Sequence, residues 1–550
     1  MLDTCDVFSL ASQLRYSSTP IDDHEPAMLE KLSCCTSSRC FQAIDNLPLI
    51  FLRIVTAISI YVWANDFLSE DKYRLLFLTP RFLFKYPHLE WIKLWPSIGA
   101  SDGIYWHFIV TKIAAICLGI GFLTRVSAIT ASFGIAYILL VEYHIYVNHY
   151  YLLACVSAML AFLPAGTRLS VDAAIGLQQN RFTMARWQLA LMRFQLGIPY
   201  VFGALAKLNG DWLKGQPARF IVQNNGHIPG IGGWDQWSPG MQEFFTNALA
   251  YGGFLYDLLI VPMLLYRPTR WLAVALSLVF HLTNAATLTI GIFPWFMLAT
   301  MVIFFPPEFI AKRWQIILGR GEERSSETPA GTYEPSTRRL HRVGLAAAVG
   351  YVIIQLLLPL RPALYAGDAN WNQRGHRFAW RMMLQAKDGL LHFRVNDPAT
   401  GDYLMVPSTT VVTAYQSSHA DHHPLMIRRI ADELVIAAKE LGISNPSVHA
   451  LALVSLNGRQ PTLMIDPSVD LASLPADAPM SDWFIDDPGE FRDPPWLVPK
   501  SQWWQSVELP EPFKSLQGRT PQELEEFLRT LEAQREQDAD KLKSQPSSKP

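Results

Sequence analysis

The sequence predicts a polytopic α-helical membrane domain of about eight or nine spans, followed by a β-rich extracytoplasmic domain. Three observations carry this reading. Half of the 550 residues are hydrophobic and only 17% are charged, a mix that suits a membrane half joined to a soluble half better than one soluble domain. Apolar runs near the length that crosses a bilayer, about 17–25 residues, recur until about residue 362 and then stop. From residue 376 the pattern changes to short β-type runs. A formal net charge of −2 offers no basic footprint for nucleic acid, and six cysteines in 550 residues make no disulfide framework.

Residues 1–45 are a polar segment without the basic start, apolar run and small-residue cleavage site of a signal peptide. Cys34, Cys35 and Cys40 have no nearby histidine or second Cys-x-x-Cys pair, so no metal site is expected there. The membrane domain occupies 46–365, with spans expected at 47–64, 104–123, 125–143, 149–164, 186–206, 244–266, 268–288, 290–305 and 343–361. Arg53 lies inside the first span, and the aromatic connection 67–103 is expected to lie against the interface. A β-rich soluble domain follows over 366–512. Its strands are read at 391–395 and 402–407, joined by the turn sequence Asn396 to Gly401, and at 448–456 and 462–465. A helix opens at Pro424, buries Ile427, Ile430, Leu434 and Ala438, and closes at Gly442. Asp466 and Asp470 read as turn and packing residues. A charged tail, 513–550, carries a capping box at Thr520–Glu523.

Ionisable or strongly polar residues inside or at the ends of spans are functional candidates by default. Lys207 ends the 186–206 span, and Asn148 and His149 open the 149–164 span. His281 and Asn284 stand three residues apart on one face of 268–288. All five fall at one depth, on the extracytoplasmic side. Singly, each has a plainer role: Lys207 as an interfacial anchor, Asn148 and His149 as turn formers, His281 as interhelical glue.

Longer motifs extend the pattern. They include Tyr146-Val147-Asn148-His149-Tyr150-Tyr151, Gly203 through Lys207-Leu208-Asn209-Gly210-Asp211-Trp212, and Phe280-His281 continuing to Gly291-Ile292-Phe293-Pro294-Trp295. Beyond the membrane part come Asn370-Trp371, Gly375 through Met383, Val454 through Arg459, and Ile465 through Leu471. In these motifs the chain resembles the vitamin K-dependent γ-glutamyl carboxylases, in particular bacterial members of the horizontally transferred transmembrane domain group. The resemblance covers about 47–500. It implies a membrane enzyme that couples oxygenation of a vitamin K hydroquinone (menaquinol or phylloquinol) to its epoxide with carboxylation of protein glutamate, consuming dioxygen and carbon dioxide. It further implies that Lys207 is the base that deprotonates the hydroquinone, with Asn148, His149, His281 and Asn284 beside the cofactor. The partners implied are the lipid bilayer and a protein or peptide glutamate substrate.

Two departures touch the glutamate side. Vertebrate members carry paired arginines after a Gln-Ser, whereas Gln416-Ser417 is followed here by Ser418-His419. A tyrosine of those members also aligns near His376. Two alternatives therefore stand beside the carboxylase: a quinol epoxidase without glutamate carboxylation, and a nonenzymatic membrane scaffold or transport protein. The basic stretch 306–342, with Lys312, Arg313, Arg320, Arg324, Arg338, Arg339 and Arg342, marks the cytoplasmic side. With an odd span count the N-terminus is cytoplasmic and the soluble domain extracytoplasmic. Reporter fusions after residues 325 and 400 should report opposite sides of the membrane. Signals from the same side would mean that 343–361 does not span.

Overall fold

A computed structural model describes residues 40–98, 101–225, 231–288, 290–318, 335–503, 507–514 and 526. Cys34, Cys35, the capping box at 520–523 and the middle of the basic stretch lie outside the described residues.

The membrane half is built from α1 (Leu47–Leu68), α2 (Gly103–Ile120), α3 (Thr124–Val141), α4 (Asn148–Phe162), α5 (Arg186–Lys207), α6 (Pro239–Leu265), α7 (Arg270–Thr287), α8 (Phe293–Thr300), α9 (Pro307–Ile317) and α10 (Pro335–Leu357). Every expected span contains a helix, but among the described residues only six helices are long and apolar enough to cross a membrane. A seventh requires counting α8 and α9 as one broken span. That is fewer than the eight or nine expected, and the reasons are local. Helix α4 has 15 residues and rises only about 22 Å, short of a hydrocarbon core of about 30 Å. The run beginning at Phe293 bends by 107° before Pro307. Polar His281, Thr283 and Asn284 dilute the end of α7.

Arg53 is fully buried in α1, where a charge would be costly without partners. Its guanidinium donates to the carbonyls of Ala165 (2.7 Å), Leu169 (2.6 Å), Gly119 (3.3 Å) and Arg168 (3.4 Å). It thus ties the ends of α2 and α4 to α1. Nearby, β1 (Ala43–Asp45) pairs antiparallel with β2 (Thr183–Ala185) and closes the same end of the bundle.

The C-terminal half is a four-stranded antiparallel sheet in the order β4-β3-β5-β6, from β3 (Lys387–Asn396), β4 (Tyr403–Pro407), β5 (Ser447–Leu456) and β6 (Thr462–Leu463). The expected hairpin forms: Asp397 Oδ1 accepts from Ala399 N at 2.9 Å, and Gly401 takes the left-handed conformation, φ +79°, that the turn requires. After the short helix α11 (Ala414–Ala420), α12 (Pro424–Glu440) lays Ile427, Ile430 and Leu434 against Phe393, Val448 and Val454 on one sheet face. Trp503, Leu509 and Phe513 cover Leu451 and Leu453 on the other. Asp470 Oδ1 accepts from Val448 N (2.8 Å) and Ala472 N (3.0 Å), and Asp466 Oδ1 from Ser468 N (2.9 Å). Both acids act as turn residues. The connection after α1 packs on this half: Phe84 is buried in the sheet-side core, and Gln416 donates to the Phe82 carbonyl at 3.0 Å.

The two halves are locked at a buried ion pair. Arg459 Nη1 and Nη2 donate to Asp211 Oδ2 (2.5 Å) and Oδ1 (2.8 Å), and Asn457 Nδ2 adds a third bond to Oδ2 (2.9 Å). The turn presenting Arg459 needs two left-handed residues, Asn457 (φ +51°) and Gly458 (φ +75°). A Cβ on Gly458 would come within 2.6 Å of Pro495 and 3.0 Å of Phe220. Replacing Arg459 by Ala strands the Asp211 carboxylate and should cost about 3–5 kcal/mol. Arg459→Lys should recover only part of this, because an ammonium cannot form the two parallel bonds. Thermal unfolding in detergent checks both; an unshifted melt for the alanine variant would remove the pair from the stability of the joint.

Candidate functional site

Lys207 is the last residue of α5, a helix carrying Gly203 and Pro199 in its C-terminal half. Its ammonium is buried and donates to Asp257 Oδ2 of α6 at 2.6 Å. Trp212 lies beside it, with the ammonium 5.1 Å from the ring centre, and is pinned by a 2.8 Å bond from its indole N–H to the Ala250 carbonyl. Gly203 is small for a reason: a Cβ there would sit 3.1 Å from Asp257 Oδ2 and 3.4 Å from Met382 Cε. The sequence reading missed Asp257. The signal was available, since an aspartate inside the 244–266 run meets the same test that singled out Lys207.

One residue from Asp257, Tyr256 leads to the second cluster. His281 is buried, and its Nε2 lies 2.9 Å from the Tyr200 hydroxyl and 3.3 Å from that of Tyr256. Tyr256 also donates to Ser277 Oγ at 3.0 Å. The other ring nitrogen of His281, Nδ1, is buried without a hydrogen-bond partner, an arrangement that costs about 1–3 kcal/mol unless a ligand satisfies it. Phe293 at the start of α8 stands between two histidines, its ring centre 5.4 Å from that of His149 and 6.4 Å from that of His281. Among the described residues, the half-buried side chains of His149 and Asn284 make no hydrogen bond.

Asn148 differs. Its Oδ1 accepts from the Tyr146 hydroxyl at 3.0 Å and its Nδ2 donates to the Arg381 carbonyl at 3.0 Å. Tyr146 in turn takes part in holding Phe378, whose N–H donates to the tyrosine oxygen at 2.8 Å. Asn148 therefore fastens the 376–383 segment over the helices, with one N–H and one lone pair of its amide unused by these two bonds.

All five expected residues thus lie at the start of α4 and in the C-terminal halves of α5 and α7, together with Asp257, Tyr256 and Phe293, which the sequence reading did not include. The arrangement offers an aromatic wall, an acid–amine pair, and free polar groups on His281, His149 and Asn284. Leu278 and Val274, at helical spacing from His281, line an open apolar groove of about 280 Å³ with Trp271, Leu298 and Phe305.

No solved structure matches the chain significantly. The family model described as HTTM domain matches residues 41–309, which hold Lys207, Asp257, His281 and Phe293. The model described as vitamin K-dependent gamma-carboxylase, lumenal domain, matches residues 340–488, which hold the 376–383 segment, α12 and the Arg459 turn. With the two matches in this order on the membrane and sheet-containing halves, the chain belongs to the vitamin K-dependent γ-carboxylase-like proteins.

Proposed function

We propose that the chain is a γ-glutamyl carboxylase that couples oxygenation of a reduced naphthoquinone to carboxylation of protein glutamate at the outer face of the membrane. The observation that carries the reading is the buried Lys207–Asp257 pair beside an aromatic cradle with unsatisfied polar groups, beneath a lumenal-type domain. Glutamate γ-hydrogens are far too weakly acidic for any side chain to remove. When bound, the hydroquinone supplies, through its conversion to the epoxide, a base strong enough for that step.

The chain's own residues prepare this chemistry. Lys207 Nζ takes a proton from a quinol hydroxyl. To do so it must first be an amine, and Asp257 Oδ2, 2.6 Å away, is the acceptor that can hold its proton. His281 Nδ1 and the Asn284 amide orient the ring oxygens, Phe293 and His149 pack on its faces, and the apolar groove takes the isoprenoid tail. Trp212 and Met382 keep water from Lys207 and from the reactive species. The N-terminus is cytoplasmic and the sheet domain outside, where peptide substrates arrive. The Ser418-His419 departure favours a second reading, a quinol epoxidase that leaves glutamate untouched.

Purified protein in lipid, given reduced quinone, bicarbonate and a glutamyl peptide, separates the readings. Epoxide with carboxylated peptide supports the carboxylase, epoxide alone the epoxidase, and neither product from folded protein a scaffold. Lys207→Ala and Lys207→Arg should both abolish epoxide formation while protein abundance stays near normal, because guanidinium does not become a neutral base. A small exogenous amine should partly restore the alanine variant and not the arginine one. Asp257→Asn should lower epoxidation by about a hundredfold or more, the loss expected for a group assisting proton transfer. Wild-type epoxidation by Lys207→Arg would leave the lysine as an anchor.

A further inference from the structure

Helix α9 turns away from α8 by 107° and packs on β1 and α1. It therefore lies at the β1–β2 end of the bundle, from which α5 runs 22 residues, about 33 Å, before it reaches Lys207. That length is about one hydrocarbon core, so α9 and the sheet domain stand at opposite faces of the membrane half. Arg193, in the first half of α5, fixes the bend by donating to the carbonyls of Ile303 (2.9 Å) and Phe305 (3.0 Å).

Three arginines gather at this end without an acid. Arg313 is exposed on α9, its guanidinium over the Phe309 ring at 5.3 Å from the ring centre. Arg270, the first residue of α7, lies over Phe305 at 5.6 Å. The two rings are themselves stacked, their centres 5.4 Å apart, so the guanidiniums flank one aromatic unit. Arg270 Nε and Nη2 donate to the carbonyls of Leu264 (2.8 Å) and Leu265 (3.1 Å), which leaves Nη1 unused. Arg267, three residues earlier, is exposed. Among the described residues none of the three forms an ion pair, and the side chains of Arg267 and Arg313 make no hydrogen bond.

Phe305 and Phe309 also line the open apolar groove, with Trp271, Val274, Leu278 and Leu298. The groove follows α7 for about two turns, and Leu278 stands one turn before His281. On α9, Ile316 and Ile317 are 55% and 73% exposed beside Lys312 and Arg313, the mix of a helix lying in a membrane surface. Positive charge at one face, with a groove leading from it into the apolar depth, complements an amphiphile with an anionic head. A guanidinium lying on an aromatic face keeps its N–H edge free, and that planar fork matches a phosphate.

We propose that the groove and its arginines bind one anionic phospholipid from the leaflet opposite the sheet domain. Arg270 Nη1 and Arg313 hold the phosphate, Arg267 adds charge, and one acyl chain lies along Trp271, Val274 and Leu278. A chain that reaches Leu278 contends with the isoprenoid tail assigned to the same groove, a consequence that rests on the function proposed above. Anionic lipid then competes with a tailed quinone and not with a tail-less one.

Native mass spectrometry of the full-length protein released from lipid nanodiscs tests this. The discs contain phosphatidylcholine alone, or phosphatidylcholine with phosphatidylglycerol. The wild type should retain one phosphatidylglycerol in preference to phosphatidylcholine. Arg313→Gln, at an exposed position that makes no hydrogen bond, should lower that retention about tenfold, as expected for losing a charge-assisted donor. Leu278→Trp, at a position 45% exposed, fills the groove without touching a charge and should lower it as far. Equal retention of the two lipids by the wild type, or unchanged retention in both variants, would overturn the site. Loss in Arg313→Gln alone would reduce it to surface attraction and overturn the groove. Menaquinone should displace the retained lipid and menadione should not; displacement by neither would leave the lipid site standing and count against the tail assignment alone.

Discussion

The Asp211–Arg459 pair is the constraint on which the rest of the molecule hangs. Asp211 stands four residues beyond Lys207, in the turn that follows α5, and Arg459 stands in the turn that ends β5. Two parallel hydrogen bonds fix both distance and orientation, which a single contact between flexible side chains would not. Buried away from water, neither partner can leave without stranding the other. The sheet is therefore seated directly over the end of the helix that carries the amine. Asn457 extends the lock to the strand entrance, exchanging bonds of 2.8 Å with the backbone of Ala386.

A second set of contacts closes the seam from the opposite side. Tyr146 and Asn148, between α3 and α4, hold Phe378 and Arg381, while Arg377 rests 3.7 Å from the centre of the Tyr143 ring. Glu142, fully buried, accepts from Phe84 N and from His144 Nδ1 at 2.7 Å, so the aromatic connection after α1 is drawn into the same roof. The 376–383 segment is thereby held between the membrane helices and the sheet. It brings Met382 against Gly203, one helical turn before Lys207.

The Lys207–Asp257 pair gives the site its chemical character. The contact joins the last residue of α5 to the middle of α6, and both side chains are buried at it. Trp212 completes the arrangement, its ring centre 5.1 Å from the Lys207 ammonium.

Much of this was legible in the sequence, for physical reasons that stop at definite points. The helix Pro424–Glu440 and the Asn396–Gly401 hairpin follow from local rules: a proline at the first helical position, apolar residues at helical spacing, and a turn that needs a left-handed glycine. Lys207 and His281 stood out because a bilayer makes polar side chains conspicuous, and Asp257 was equally conspicuous though unread. The number of helices long enough to cross was not legible, since the 107° bend before Pro307 and the shortness of α4 depend on what each segment packs against. Pairings were invisible altogether: nothing in the sequence shows that Asn148 Nδ2 donates to the carbonyl of Arg381, 233 residues later. Local chemistry and hydrophobic period determine which segments become helices, strands and turns. Only the closed tertiary structure decides which partner each polar group finds, because those partners lie hundreds of residues apart and meet when the sheet docks on the helices.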